Sequence, residues 1–469
     1  MRFLNRAYEL QLLRERIESD RADFLVVYGR RRVGKTELLN RLAEDVRSFV
    51  FEGTETTETD QLSAFAADLA LAAGDDPDEA PPPASWRAAL NRLSEFVGDR
   101  RTLVVLDEFQ FLARQSQGLE SLINVWWRKS GRHLPITFVV SGSEVSFFED
   151  EALAGTMYGR RTGQLKLEPF RVPDAALFHP GYSFEDRIRV YAVCGGIPYY
   201  LDRFTDDAPV SEHLFDEVLK PTGFLRNEGE LLLRQSLPNP AHYIAILKAI
   251  AQGHNRNSAI ADRTGLEPSA VTKALRVLER LGLVTELKPI TAPVNSKKTA
   301  YRIADQFMRF HFRFVDPSSG RLGTDRLALA YLENTVMPSF DHFVSETWEE
   351  ICQDFTHRVE TELYKVGYWW GKVPTGEGRR VETREIDVVG VDHDGRATVV
   401  GMCKWTNNQV DFDELNLLDR LAPHVERCVE SPKRYLFSRS GFTERLRRHA
   451  EEDERLVLVT PAEIYQAEP

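Results

Sequence analysis

An α/β multidomain fold is predicted by three observations in this sequence. A glycine-rich loop sits between an apolar run and a helical stretch. Apolar strands then alternate with helical patterns from Phe24 to Val140, the signature of a parallel sheet. Beyond residue 240 the texture changes to three short helices and a hairpin, and near Tyr331 it changes again to a second α/β pattern.

The glycine loop comes first. Phe24-Leu-Val-Val-Tyr-Gly-Arg-Arg-Arg-Val-Gly-Lys-Thr36 contains G-x-x-x-x-G-K-T from Gly29 to Thr36. Phe24 to Tyr28 reads as a buried parallel strand, and Glu37 to Leu42 as the start of a helix. Gly29 and Gly34 let the chain curl, so that the backbone of Arg30, Arg31, Arg32 and Val33 can turn N–H groups toward phosphate oxygens. The helix N-terminus adds partial positive charge. In this strand–loop–helix setting Lys35 is expected to reach the β- and γ-phosphates of ATP, and Thr36 to hold Mg²⁺.

Leu103-Val-Val-Leu-Asp107-Glu108 is a second apolar strand ending in two acids. Asp107 is expected to support Mg²⁺ and Glu108 to polarise an attacking water. A third strand, Ile136-Thr-Phe-Val-Val, runs into Ser141-Gly-Ser143. Either serine is placed to sense a γ-phosphate, or the three residues are only a tight turn. Arg160 and Arg161 sit in a loop before a further strand. Arg160 is a candidate charge-sensing arginine, or one of a surface pair.

The remaining helices and strands follow in order. Asn5 is expected to cap a first helix with Leu10, Leu12, Leu13 and Ile17 on one side. A strand at 48 to 55 and helices at 61 to 73, 85 to 97 and 118 to 130 complete the first domain, residues 1–175. A helical lid follows at 176–237 and contains Gly195-Gly-Ile-Pro198, a turn able to report the nucleotide state. Residues 238–315 read as a winged helix. Its third helix, Glu267 to Leu281, offers Ser269, Thr272, Lys273 and Arg276, and the wing tip offers Lys297 and Lys298. Those residues suit phosphate and base contacts on DNA, and a protein partner suits the same fold. Residues 316–330, rich in Ser, Gly and Asp, read as a linker. The last domain, 331–469, has a helix at 340 to 355 with Glu346, Glu349 and Glu350. A hairpin follows, from Arg384-Glu-Ile-Asp387 through an Asp-Gly turn to Met402-Cys-Lys404.

Composition bounds the function. At 469 residues, with 42% hydrophobic and 28% charged, the chain is an ordinary soluble type of several domains. No run of apolar residues is long enough to span a membrane, and the N-terminus carries no secretory signal. The four cysteines show no paired spacing, which points to a reducing cytoplasm and away from zinc. The net charge of −12 argues against a passive nucleic-acid coat, yet residues 236 to 315 carry twelve Lys/Arg against five Asp/Glu.

With those residues in hand, the chain resembles the archaeal-type P-loop ATPases of the wider AAA/STAND group. The marks are Phe3-Leu-Asn-Arg6, the arginine-rich loop ending in Lys35-Thr36, Leu106-Asp-Glu-Phe-Gln110, Ser141-Gly-Ser143 and Gly195-Gly-Ile-Pro198. The segment from about 331 is similar to the uncharacterised domain often fused to these ATPases, itself similar to restriction-endonuclease-like PD-(D/E)xK nucleases. That resemblance implies a nuclease-type site at Glu349 or Glu346, Asp387 and Lys404. Met402 stands where the pattern has a carboxylate, and a thioether is a poor Mg²⁺ ligand. The site is therefore read as vestigial.

The function expected is a cytoplasmic ATPase using ATP and Mg²⁺ as a switch in a DNA-associated process. The alternatives are an ATP-binding DNA regulator with little hydrolysis and an ATP-dependent nuclease. A protein partner and homo-oligomerisation are left open, as are the DNA target and the physiological process.

Overall fold

The computed structural model describes residues 3–152, 159–237, 239–293, 296, 299–374 and 380–466. The chain forms two compact units. One runs to Pro169 and takes in Ile197–Tyr199. The other comprises Phe170–Gly196 and everything from Tyr200 on. The boundary lies at Pro169 rather than at residue 175, and three residues of the expected lid belong with the first unit.

The first unit is built on a parallel sheet. Its strands are β1 (Asp23–Tyr28), β2 (Ser48–Glu52), β3 (Thr102–Asp107), β4 (Ile136–Gly142) and β5 (Gly163–Lys166), in the order β2-β3-β4-β1-β5. Every residue of β1, β3 and β4 is buried, as expected of Val/Leu/Phe-rich strands covered on both faces. The helices Lys35–Glu44, Glu58–Ala73, Trp86–Val97 and Leu119–Lys129 supply that cover. Two start at sequence-encoded caps, where Thr57 and Ser85 side chains accept the backbone N–H of Asp60 and Ala88. Phe49, Phe51, Phe65 and Trp86 pack edge to face, and Phe24, Trp127 and Phe138 cluster further along the same face of the sheet. Because β4 lies between β1 and β3, the ends of those strands are brought to one rim of the sheet, where crevices form in such folds.

The first helix runs Ala7–Glu18, and its capping position is Arg6, not Asn5. Both residues have positive φ, 66° and 58°. The backbone turns there because the Arg6 side chain is directed inward, and no side-chain cap is made.

In the second unit, helices Ala241–Ala251, Asn257–Thr264 and Pro268–Arg280 precede an antiparallel hairpin of β6 (Val284–Leu287) and β7 (Ala300–Ile303). This is the expected winged helix. Lys297 and Lys298, expected at the wing tip, lie outside the described residues. Residues 316–330 are not an extended linker. They form helical turns, Asp316–Leu322 and Asp325–Tyr331, with Leu322 and Ala328 fully buried. Tyr331 donates to the Phe314 carbonyl at 3.0 Å. The Pro-Ser-Ser-Gly composition suits a loop, yet the segment coils into turns that bury Leu322 and Ala328, while Phe310 and Phe314 just before it pack on Phe343 further along the chain.

The C-terminal sheet has the order β12-β11-β10-β9-β8, from β8 (Leu363–Pro374), β9 (Val381–Asp392), β10 (Ala397–Lys404), β11 (Cys428–Ser438) and β12 (Leu456–Val459). β8, β9 and β10 are antiparallel to one another, and β10, β11 and β12 are parallel. A long helix, Met337–Val359, precedes it, and helix Phe412–Leu421 joins β10 to β11. β8 is the strand that the sequence reading did not name. Its Gly367 and Gly371 break the apolar alternation that would mark it. The wing-side segment runs along this edge, where Ile290 N donates to the Tyr368 carbonyl at 2.8 Å.

One contact sets the rim of the first sheet. A Cβ on Gly29 would lie 2.4 Å from the Leu167 carbonyl oxygen, a backbone atom. Gly29→Ala is expected to destabilise the first unit by about 1–3 kcal/mol through this overlap. Urea unfolding monitored on the purified chain should show a lower midpoint with an unchanged slope.

Candidate active site at the rim of the parallel sheet

The glycine loop leaves β1 and curls through Arg32, at φ 70°, and Gly34, at φ 92°, before the Lys35–Glu44 helix begins. A glycine takes the second of these turns without penalty, whereas arginine at the first needs support from its surroundings. That support is visible. The Arg32 guanidinium lies 4.6 Å from the centre of the Tyr199 ring. Arg6 donates to the Val33 carbonyl at 3.2 Å and to the Glu168 carbonyl at 2.7 Å. Arg6 is 7% exposed and its charge is paired with Glu9 at 2.7 Å, while its other nitrogen fixes the far side of the loop. Neither role was legible in advance; Phe3-Leu-Asn-Arg6 was only a family mark, and Tyr199 was part of a turn.

Lys35 is buried inside the curl. Its Nζ donates to the carbonyls of Gly29 and Arg30, both at 2.9 Å. Burial pushes its ammonium down to about 8, and the nearby Glu108 and Asp107 pull it partly back. Thr36, the next residue, donates its hydroxyl to Asp107 Oδ2 at 2.7 Å. The other Asp107 oxygen accepts the Glu108 N–H at 2.9 Å. Hydroxyl and carboxylate oxygens form a hard donor set, the type that suits Mg²⁺.

Glu108 stands in the left-handed region, at φ 46°. Its Oε2 accepts the Ser143 N–H at 3.2 Å, the Ser143 hydroxyl at 2.8 Å, and the Gln110 amide. Ser143 thus holds a carboxylate, and Gln110 shares that task. Gln110 is a residue the sequence reading had quoted only as part of a motif. Ser141 is fully buried beside Val27 of β1, and its Oγ has no hydrogen-bond partner. Glu52, in register with Asp107 on the adjacent strand, joins the rim as a third acid. Partial burial and its neighbours Asp107 and Glu108 push its carboxyl up.

Arg160 is not brought to this rim. It is exposed, just before β5. Thr162 N donates to the Phe24 carbonyl at 2.8 Å, which ties this segment to the start of β1, whereas the glycine loop leaves the other end of that strand. The expectation of a charge-sensing arginine from within the chain fails for that topological reason.

The C-terminal candidates meet only in part. Asp387 accepts the Cys403 N–H at 2.7 Å. Burial raises the Glu349 carboxyl, with the neighbouring Asp387 carboxylate adding to it, and Asp387 is itself raised by burial. Lys404, however, pairs with Glu414 at 3.2 Å. Glu346 lies 3.7 Å from Arg309, and Glu350 pairs with Arg309 at 2.6 Å and Arg302 at 2.9 Å. Met402 packs in the apolar core with Leu415 and Leu418. A carboxylate at position 402 would therefore enter that core rather than complete a site. Among the described residues, no group of three or more His, Cys, Asp or Glu side chains is arranged to hold a metal ion.

On the winged helix, Ser269, Lys273 and Arg276 are exposed along one face of the third helix. Thr272 is not free there, since it accepts from Asn257 Nδ2 at 3.0 Å and donates to the Pro268 carbonyl at 2.9 Å.

Residues 3–204 match the family described as an ATPase domain predominantly from Archaea. That match lies in the N-terminal part of this chain. Downstream of the ATPase domain, residues 242–288 match the IclR helix-turn-helix domain, and residues 311–415 match archaeal and bacterial proteins of unknown function. An uncharacterised protein of Methanocaldococcus jannaschii is 27% identical over 414 residues, covering 86% of this chain and 87% of its own. An uncharacterised ATP-binding protein of the same organism is 42% identical over 43 residues, 9% of this chain and 73% of its own. Among solved structures, the Walker-type ATPase of Pyrococcus abyssi aligns over 66% of this chain and 96% of its own, at 20% identity and a TM-score of 0.49. No described helix is long and apolar enough to cross a membrane.

The buried Lys35 gives the ATPase domain a measurable pH signature. Its ammonium begins to lose its proton near pH 8, and a phosphate beside it would hold the proton on. Nucleotide binding is therefore expected to take up a proton above about pH 8, and affinity to fall as pH rises further. Calorimetric titration of ATP in buffers of different ionisation enthalpy at pH 7 and pH 9 checks both signs.

Proposed function

We propose that this chain binds ATP with Mg²⁺ at the glycine loop, hydrolyses it, and uses the nucleotide state as a switch in a DNA-associated process in the cytoplasm. The observation that carries the reading is the set Thr36, Asp107, Glu108 and Ser143, joined by hydrogen bonds at one rim of the sheet, beside a Lys35 whose Nζ is held by the loop carbonyls of Gly29 and Arg30. The backbone from Gly29 to Gly34, through Arg30, Arg31, Arg32 and Val33, would cradle the phosphates, with Lys35 meeting the β- and γ-oxygens. Thr36 and Asp107 would hold Mg²⁺, which when bound neutralises phosphate charge. Glu108 would take a proton from the attacking water, oriented for that role by Ser143 and Gln110. Ser141, buried one strand from the loop, remains a second candidate for reading the γ-phosphate.

Lys35→Ala is expected to abolish ATP turnover. Glu108→Gln is expected to keep ATP binding and lower turnover by about 10²–10⁴. Steady-state phosphate release with equilibrium binding on the same variants checks both. A Glu108→Gln chain that turns over at the parent rate removes Glu108 from the mechanism. Parent turnover close to that of Lys35→Ala favours the alternative, a DNA-binding regulator that hydrolyses little.

The DNA side rests on the helix Pro268–Arg280. Lys273 and Arg276 would meet phosphate or base edges, with Ser269 beside them. Removing both charges should reduce the salt slope of duplex binding by about two. Unchanged affinity and slope would assign that face to a protein partner. For the C-terminal unit we read a restriction-endonuclease-like arrangement that is degenerate. Glu349 and Asp387 approach each other, while Lys404 is held by Glu414 and Met402 by the core. Cleavage of supercoiled plasmid with Mn²⁺, abolished by Asp387→Ala, would support the third reading, an ATP-dependent nuclease.

A further inference from the structure

A cavity of about 410 Å³ lies within the second unit, between the winged helix and the β8–β9 edge of the C-terminal sheet. The winged-helix side supplies Asn255, Arg256 and Arg302, and the sheet side Tyr368, Trp370 and Glu385. Trp370 and Glu385 are paired across β8 and β9, so their side chains share a face. The adjacent pair, Trp369 and Ile386, belongs to the domain core, and Trp369 also lines the cavity. Trp370 and Tyr368 are left half-buried at the cavity.

The two sides are fixed to each other. Arg302 donates to the Tyr368 hydroxyl at 2.8 Å and pairs with Glu350 at 2.9 Å. Ile290 N binds the Tyr368 carbonyl at 2.8 Å, and Thr291 donates to Glu426 at 2.6 Å. A cavity already held in shape spares a ligand the cost of ordering it.

We propose that this cavity binds a nucleobase. Trp370 offers an aromatic face for a flat ring, Tyr368 lies beside it with the Arg302 guanidinium 5.1 Å from its ring centre, and Arg256, exposed at the rim, offers a second guanidinium plane. Asn255 brings an amide that both donates and accepts. Glu385 and the neighbouring Glu349, which also lines the cavity, are acceptors for exocyclic amino groups. The exposed Glu385 carboxylate disfavours phosphate inside the cavity, which leaves a sugar–phosphate at the Arg256 rim. A base splayed from a nucleic-acid strand and a free nucleoside share this chemistry. Only the first source rests on the DNA-associated reading above.

The test uses the full-length chain with saturating ADP, so that the glycine loop is occupied. It is irradiated with a short single-stranded oligonucleotide carrying iodouracil, and separately with iododeoxyuridine. A crosslink mapped to Trp370 or Tyr368 is expected. Trp370→Leu, which keeps an apolar group at a half-exposed position, is expected to weaken binding about tenfold. Capture of the oligonucleotide alone assigns the strand base, and capture of the nucleoside as well assigns the free base. Absence of a crosslink to either aromatic, or unchanged affinity in Trp370→Leu, overturns the proposal. Duplex binding measured in parallel separates the two readings. Retained duplex binding without the crosslink overturns the cavity alone, and the crosslink without duplex binding overturns only the DNA face of the winged helix.

Discussion

A buried ammonium constrains the whole rim of the first sheet. Lys35 is 5% exposed, and an unpaired charge at that depth would cost several kcal/mol. The loop answers by turning two of its own carbonyls inward, those of Gly29 and Arg30. That turn requires Gly29 to pass against the Leu167 backbone and Arg32 to adopt a positive φ. Arg6 and Tyr199 then brace the outside of the curl. Asp107 and Glu108 complete the compensation electrostatically. Each of these features follows from keeping one cation dry and partnered.

The C-terminal sheet distributes its charge differently. Its helix acids are largely committed to arginines of the winged helix, since Glu350 is shared by Arg302 and Arg309. Those pairs fasten two domains within one compact unit. Glu349 is left beside Asp387, where both carboxyls are disfavoured as anions by burial. A third acid is absent because position 402 faces Leu415 and Leu418. The strand therefore serves packing at the position where a metal site would need an oxygen.

What was readable in the sequence divides along physical lines. The parallel sheet was legible because fully buried strands, such as the apolar runs at 103–106 and 136–140, leave no polar alternation. The glycine loop was legible because few other residues tolerate its turns. The winged helix followed from helical periodicity and a hairpin. By contrast, the linker at 316–330 was misread because its composition is that of a loop, while the segment coils into turns that bury Leu322 and Ala328. Arg160 was misplaced because sequence order does not say that β5 runs parallel to β1, which puts the start of β5 at the end of β1 away from the glycine loop. Gln110 escaped because nothing in the sequence says that its amide turns back onto Glu108, and Arg6 because its partner, Glu168, is 162 residues away.

The backbone bond between Ile290 and Tyr368 has a consequence for the chain in solution. β8 is the outermost strand of a five-stranded sheet, and a bare outer strand offers unpaired N–H and C=O groups to any other chain. Here the segment beside the wing occupies part of that row, and Lys365 adds a charge that binds the Ile290 carbonyl at 2.9 Å. The winged helix thus doubles as a guard against strand-to-strand aggregation. Cutting it away would leave the C-terminal sheet with a sticky margin.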